Sequence, residues 1–224
     1  MTYKMQSLAA AAIVLAIGTS VAQGATIGRP GQPDPNAVVD QLTQRMDAVA
    51  AYSARVHVGV QLHSFPFLAA NLDGTTTYAR PGHYTVTFDS VPGLASAFQN
   101  VSGDIGDPAA WRSKYAIAIV PAAAADPPNT LALRLTEKVK GQLDHALAYV
   151  DESSETVTRM EWYYANGGRI AVEQHFAPIH GVLLVDSQAA DIDMPGYKAT
   201  AHAVFDGYAV QVGAQQTPGA SSRN

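Results

Sequence analysis

Apolar and polar residues alternate along most of the chain, and this two-residue period predicts β-strands. In the first such segment, Ser53–His63, four apolar residues share one face: Val56, Val58, Val60 and Leu62. The further strands predicted in this way are Leu72–Arg80, Tyr84–Phe88, Trp111–Val120, Leu131–Thr136, Leu143–Val150, Met160–Tyr164, Arg169–Phe176, Val182–Ala190 and Tyr197–Tyr208. Turn residues separate them, most clearly Pro81-Gly82 and Asn166-Gly167-Gly168, and they predict hairpins.

A helix is predicted before the first strand. Asp34 is a good N-cap and Pro35 suits the first helical position. Apolar residues then recur at helical spacing as far as Ala51 and form one stripe of an amphipathic helix. The stripe consists of Val39, Leu42, Met46 and Val49. A second, short helix is predicted at Val91–Asn100.

These elements predict a mainly β (α+β) fold. Nine to eleven strands in meander order, with no alternation of strand and helix, indicate one antiparallel sheet. A sheet of this size curls, and its concave apolar face has to be covered. We therefore expect a curved antiparallel half-barrel, with the N-terminal helix and short lid helices from residues 91–110 over the concave face.

The first residues have the features of a secretory signal peptide. Lys4 supplies a positive charge, Leu8–Gly18 is a short apolar run, and Ala22-Gln23-Gly24 is a small-x-small cleavage site. The run is shorter than the ~20 apolar residues that a membrane-spanning helix needs, although an uncleaved anchor is the alternative. Cleavage after Gly24 predicts a periplasmic or secreted protein with no transmembrane segment left.

The sequence then divides into three parts after the predicted signal peptide of residues 1–24. Residues 25–35 are rich in proline and glycine and are typical of a flexible linker. Residues 36–212 form the predicted half-barrel domain. Residues 213–224 are polar and are predicted to be a disordered tail.

Composition narrows the range of partners. The chain has no cysteine, so lipidation at the cleavage site, disulfides and thiolate metal sites are excluded. With 14 basic and 19 acidic residues, its net charge of −5 is unsuited to nucleic acid, which requires phosphate-neutralising lysine and arginine. Any contact with lipid is expected to involve acyl chains and not the charge of anionic head groups.

At this point the pattern resembles the LolA/LolB lipoprotein carriers, which are exported half-barrels with a helical lid. The resemblance extends from about Asn36 to Tyr208. The features that carry it are the helix leading into Tyr52-Ser53-Ala54, the phrase Leu72-Asp73-Gly74 followed by Tyr78-Ala79-Arg80-Pro81-Gly82, the strands Leu131–Thr136, Leu143–Asp151 and Met160–Tyr164, and the run of Val182–Ala190 into Tyr197–Tyr208. The family includes carriers and stress sensors that detect envelope lipids or misfolded proteins.

The resemblance implies a cavity for a hydrophobic ligand, either a lipid or the acyl chains of a lipoprotein. Its predicted wall is Val58, Val60, Leu62, Phe88, Leu133, Leu147, Met160, Trp162 and Tyr164. In the lipoprotein carrier, an arginine on an early strand contacts the lid. Arg55 is the first-strand arginine here, and it is the candidate for that contact, although alternation places it opposite the valine face.

No catalytic, cofactor or metal motif is recognisable. There is no nucleophile elbow, phosphate-binding glycine loop or calcium loop. Asp144 and His145 are expected to point to opposite faces of a strand and so not to form a dyad. The acidic residues Asp151, Glu152 and Glu155 are interpreted as a solvated turn.

Three functions therefore remain, in decreasing order of support. The first is a carrier or binding protein for a hydrophobic ligand. The second is an envelope sensor or protein-interaction module on the same fold, with an envelope protein as its partner. The third is an enzyme, which would need a pocket that brings His145, Asp144 or Glu161 together.

Overall fold

The computed structural model describes residues 33–64, 69–80, 82–89 and 105–213. The predicted signal peptide, most of the linker, the predicted helix Val91–Asn100 and the tail from residue 214 lie outside these residues. Among the described residues, no helix is both long enough and apolar enough to cross a membrane.

The N-terminal helix, α1, is Pro35–Gln44, and it is followed by a 3₁₀ turn at Arg45–Ala48. Asp34 caps it as predicted, since its Oδ1 accepts a hydrogen bond from the Asn36 amide at 3.0 Å. The predicted extension of the helix to Ala51 is wrong. Val49 instead begins the first strand and pairs with Val212, so tertiary pairing determines the end of the helix.

Ten strands follow the helix. They are β1 (Val49–Leu62), β2 (Ala69–Ala79), β3 (His83–Phe88), β4 (Tyr115–Val120), β5 (Thr130–Glu137), β6 (Leu143–Asp151), β7 (Thr156–Tyr164), β8 (Arg169–Ile179), β9 (Val182–Met194) and β10 (Tyr197–Val212). The described strands thus agree with the predicted number, and the meander order is confirmed.

All ten strands form one antiparallel sheet in the order β3-β2-β1-β10-β9-β8-β7-β6-β5-β4. Every neighbouring pair is also consecutive in the chain except β1 and β10, which are the third and fourth strands from the β3 edge. The sheet is curved and does not close, because β3 and β4 lie at its two edges. The predicted mainly β half-barrel is confirmed.

One predicted strand boundary is wrong. Trp111–Lys114 is a helical turn, α2, preceded by a 3₁₀ turn at Pro108–Ala110, and β4 begins only at Tyr115. The reason is local, since the Asp107 carboxylate caps the turn through the Ala110 amide at 3.3 Å. The turn directs the Trp111 ring into the core, where it is completely buried.

The core lies on one face of the sheet, between the strands and the covering helices. On the helix side of this core, α1 contributes Val38, Val39 and Leu42, and α2 contributes Trp111. Across the strands, large residues alternate with small ones, as where Leu133 and Met160 flank Ala148. We call this side of the sheet the apolar face, and the opposite side the polar face.

The hairpin between β7 and β8 is confirmed at its predicted position. Gly167 has a φ of +84°, a conformation that glycine adopts without strain. The Asn166 side chain closes the turn, because its Oδ1 accepts a hydrogen bond from the Gly168 amide at 3.0 Å.

Candidate functional site

Eight of the nine predicted wall residues lie on the apolar face. Seven are buried there: Val58, Val60, Leu62, Phe88, Leu133, Met160 and Trp162. Tyr164 is half-buried and packs against the same cluster. The alternating pattern therefore indicated the correct face on β1, β5 and β7.

Leu147 is the exception, because it lies on the polar face. It pairs with Arg134 on β5 and with Glu161 on β7, and both of these side chains belong to that face. Its neighbours Ala146 and Ala148 are completely buried on the apolar face instead. The prediction took the larger residues of β6 as the inner ones, but here the small alanines fit between the large side chains of β5 and β7.

A small recess remains open within the apolar face. It has a volume of about 40 Å³, and its lining is aliphatic or aromatic except for Gln188. Val86 of β3 and Val172 of β8 both line it, although four strands separate β3 from β8 in the sheet. The curvature of the sheet therefore brings these strands together, over a floor of small residues that includes Ala201 and Ala203.

A second recess, of about 60 Å³, lies beside the first, and Phe205 lines both. Its lining is mixed, with Leu42 and Leu184 next to polar groups. The polar side chains are Arg45, Tyr52, Thr76, Tyr84, Glu155, Gln174 and Tyr208. We call it the Arg45 recess, because this arginine is its distinctive charge.

The Arg45 guanidinium has few partners. Its Nη1 donates a hydrogen bond to the Leu183 carbonyl at 2.7 Å, and the guanidinium carbon lies 5.4 Å from the centre of the Phe176 ring. Its Nε is inaccessible to solvent and has no hydrogen-bond partner among the described residues. Burial lowers the pKa of Arg45 from its ordinary value.

Tyrosine rings surround the arginine. Tyr52 stacks on Tyr78 at 5.4 Å between ring centres and contacts Tyr208 at 5.6 Å. The Tyr208 hydroxyl donates a hydrogen bond to the Val185 carbonyl. Burial raises the pKa of Tyr52, Tyr84 and Tyr208 above the ordinary value, so all three phenols are protonated at neutral pH.

Arg55 is on the polar face and does not reach the apolar one. Its Nε lies 2.8 Å from Asp206 Oδ1 on the neighbouring strand, and two thirds of its side chain is exposed. The strand alternation explains this position, since Arg55 precedes the inward-facing Val56. Most of the predicted lid segment lies outside the described residues, so the lid contact of Arg55 implied by the resemblance stays a prediction.

The polar face contains a buried carboxylate with several partners. Glu161 is 8% exposed, and its Oε1 lies 3.3 Å from Arg159 Nε and 3.1 Å from Arg169 Nη2. The Tyr163 hydroxyl donates a hydrogen bond to Oε2. Arg159 also pairs at 2.7 Å with Asp126, which connects the loop after β4 to β7. We call these residues the Glu161 cluster.

The prediction about Asp144 and His145 is wrong. His145 Nδ1 lies 2.6 Å from Asp144 Oδ2, and the imidazole stacks on Tyr163 at 4.7 Å. The register of β6 shifts between Leu143 and His145, so a bulge breaks the alternation that should have separated the two side chains. Among the described residues, no group of three or more histidine, aspartate or glutamate side chains could hold a metal ion.

A wide groove crosses the polar face from β2 to β7, with a volume of about 960 Å³. Its floor consists of small residues, including Gly59, Ala171 and Ala189. Glu161 lies at one end, while Glu173 and Asp191 project from β8 and β9. The interpretation of Asp151, Glu152 and Glu155 as a turn agrees with the structure, where Asp151 Oδ1 accepts a hydrogen bond from the Ser153 amide at 2.8 Å.

Solved structures resemble this chain over most of its length. A LolA superfamily protein from Nitrosomonas europaea matches with a TM-score of 0.60 at 10% identity, covering 80% of this chain and 94% of that one. This protein has a LolA-like fold. No family model matches the sequence, and no curated protein matches it as a relative.

Two further structures share the LolA-like fold. A DUF1329 family protein from Desulfovibrio piger matches with a TM-score of 0.58 at 11% identity, and a putative outer membrane lipoprotein-sorting protein domain from Vibrio parahaemolyticus with 0.55 at 9%. Each covers 82% of this chain and is itself covered over 96%. The predicted resemblance is confirmed, and at these identities it defines the fold alone.

The sequence did contain a signal for Arg45, which the prediction missed. Val38, Leu42 and Arg45 recur at i, i+4 and i+7, so the arginine falls on the apolar stripe of α1. A charge in such a stripe points toward the core of a LolA-like fold. The tyrosines carried no comparable signal, because buried tyrosine is common in strands.

Proposed function

We propose that this protein is an exported, non-catalytic binding or carrier protein, periplasmic or secreted, that holds a hydrophobic ligand such as a lipid or the acyl chains of a lipoprotein. The ligand lies between the apolar face and the helices that cover it. The predicted signal peptide supports the location, and the LolA-like fold supports the architecture.

The observation that carries the proposal is the apolar recess. Its floor is built from Ala190, Ala201 and Ala203, where larger side chains would fill the space. Apolar atoms that lack protein neighbours gain contacts from the hydrocarbon of a ligand. The groove on the polar face differs from this recess, because charged side chains such as Glu161 and Glu173 line it.

The size of the recess determines how a ligand would bind. A volume of about 40 Å³ is far below the ~300 Å³ or more of ligand pockets in general. Binding a full acyl chain therefore requires the covering elements to separate from the sheet. We expect this separation to start at the recess, because its alanine floor leaves space there.

Direct titration tests the proposal. Purified protein without its signal peptide is titrated with pyrene-labelled dodecanoic acid, and pyrene emission reports the dissociation constant. Ala203→Leu fills the recess and should weaken binding by about tenfold or more, since overpacking costs about 1–3 kcal/mol. Native mass spectrometry of protein from its own envelope gives a second measurement.

The matched control is Ala189→Leu, the same change on the polar face of the neighbouring strand. It should leave probe binding unchanged, because Ala189 is exposed on the opposite side of the sheet. Circular dichroism establishes that both variants are folded. Failure of the wild-type protein to bind the probe, together with repeated recovery without lipid, would overturn the proposed function.

The polar groove favours a second function, a protein-interaction or sensor module. Glu173 and Asp191 line the groove and have no ion-pair partner among the described residues, whereas the charge of Glu161 is balanced by two arginines. A groove with a flat floor and unpaired carboxylates suits a basic segment of an envelope protein. Charge complementarity of this kind directs association.

The same two variants distinguish the carrier from the protein-interaction module, because the expected effects of the two substitutions are reversed. If the groove binds a protein partner, Ala189→Leu should release a partner recovered stoichiometrically from envelope extract, and Ala203→Leu should retain it. If both variants still bind the partner, the groove is not its binding site. Loss with Ala203→Leu alone would assign the partner to the apolar face.

A further inference from the structure

Arg45 is a cation at the C-terminal end of α1, a helix whose buried residues are all apolar. Its half-buried side chain lies between α1 and the sheet, where it lines a recess together with Leu42, Phe176 and Phe205. No carboxylate of the described residues lies within 4.0 Å of it, whereas Arg159 and Arg169 on the polar face each have one. A charge in such surroundings is costly unless it is paired.

Glu155 is the carboxylate that lines the same recess. It attracts the guanidinium at a distance, but it forms no ion pair with Arg45. The Arg45 Nε therefore stays without an acceptor, and a buried donor in that state requires an explanation. A ligand with an anionic group supplies both the acceptor and the counter-charge.

We propose that the Arg45 recess binds the anionic head group, a carboxylate or a phosphate, of an amphiphile whose hydrocarbon chain lies along the apolar face. This inference rests on the proposed function and adds the chemical class of the ligand. The guanidinium pairs with the head group, and Tyr52 and Tyr84 line the same recess.

The arrangement of the two recesses supports an amphiphile over a free anion. They share Phe205 in their linings, so a head group beside Arg45 is continuous with the aliphatic surface formed by Val56 and Val172. The Arg45 recess, at about 60 Å³, accommodates a few non-hydrogen atoms and not a large polar head. A single carboxylate or phosphate is the group that fits.

The test compares a charged probe with its neutral twin. Pyrene-labelled dodecanoic acid and its methyl ester have the same chain and fluorophore, and they differ in the charge of the head group. Wild-type protein should bind the acid about tenfold more tightly than the ester, since hydrogen bonds to charged groups contribute more than neutral ones. Arg45→Met should remove this preference without weakening the binding of the ester.

Two further variants serve as controls. Arg45→Lys retains the charge and should retain most of the preference for the acid. Arg112→Met removes another arginine with a buried Nε, one that already pairs with Asp40 at 2.6 Å, and it should not affect the preference. Thermal unfolding of each variant establishes that it is folded at the temperature of the titration.

Each outcome separates this inference from the proposed function. If neither probe binds, the proposed function fails. If acid and ester bind equally, or if Arg45→Met weakens both equally, the function survives and the head-group site is overturned. If inorganic phosphate binds in a manner that depends on Arg45 but does not compete with the acid, the recess is a site for a free anion, and the inference is likewise overturned.

Discussion

Glu161 is buried and Arg45 is half-buried, on opposite faces of the same sheet, and the surroundings of these two charges differ. Glu161 has two arginines and a tyrosine hydroxyl around its two oxygens. Arg45 has one carbonyl and one aromatic ring, and an Nε without an acceptor. A charge whose bonds are all made within the protein holds strands together, whereas one that is left incomplete is available to a ligand.

The largest expected difference between the faces comes from deleting side chains. Leu133→Ala on the apolar face should lower the free energy of unfolding by about 3–4 kcal/mol, because Leu133 is completely buried in the core. Leu147→Ala, on the polar face, should cost only about 1 kcal/mol, since its side chain is half-buried. Urea denaturation measures both values, and equal losses would show that Leu147 also belongs to the core.

Removing the carboxylate at the centre of the Glu161 cluster should have the next largest effect. Glu161→Gln leaves Arg159 and Arg169 without their shared partner and should cost about 2–3 kcal/mol, less than a fully buried pair because both arginines retain some exposure. The control is Glu173→Gln on the next strand, which should change stability by less than about 0.5 kcal/mol. If Glu161→Gln lowers the free energy of unfolding no more than the control does, the Glu161 cluster does not stabilise the fold.

The tyrosines beside Arg45 predict sensitivity to alkali. Their pKa values are raised in the folded state, so the stability they contribute is complete below pH 10 and is lost as the pH rises through the folded values. Each such phenol adds at most about 1.4 kcal/mol of lost stability per pH unit in that range. Tyr52→Phe should reduce the slope, and urea denaturation at several pH values from neutral to strongly alkaline measures it.

The smallest expected change in stability is at Arg45 itself. Arg45→Met should leave the free energy of unfolding unchanged or raise it by about 1 kcal/mol, because a half-buried charge without an ion-pair partner is replaced by an apolar side chain of similar length. Equilibrium denaturation in the absence of lipid measures this. A loss above about 2 kcal/mol would mean that the contacts with Leu183 and Phe176 make Arg45 a structural residue like Glu161.

The sequence was sufficient for the sheet because a period of two leaves few alternatives. Once Val56, Val58 and Val60 share a face, the register of every paired strand is restricted. The end of α1 was harder to predict, since Val49 fits both the helical stripe and the first position of β1. Only the pairing of Val49 with Val212 decides between them.

The site was less predictable than the fold, for two physical reasons. Bulges are not encoded in the alternation, so the shift beside His145 that brings it to Asp144 could not be anticipated. The inward side of β6 depends on its neighbours, since alanines fit where β5 and β7 supply Leu133 and Met160. Arg45 was recognisable in principle, but its lack of a partner is a property of the folded chain.

The pairing of β1 with β10 has a consequence for the timing of folding. These strands are the first and last along the chain, yet they lie side by side inside the sheet, so the sheet is completed only when Tyr197–Val212 is available. Contacts between such distant segments form slowly. The sheet therefore stays incomplete until the last strand has been synthesised. If residues 1–24 direct export as predicted, we expect the chain to enter a translocation channel unfolded.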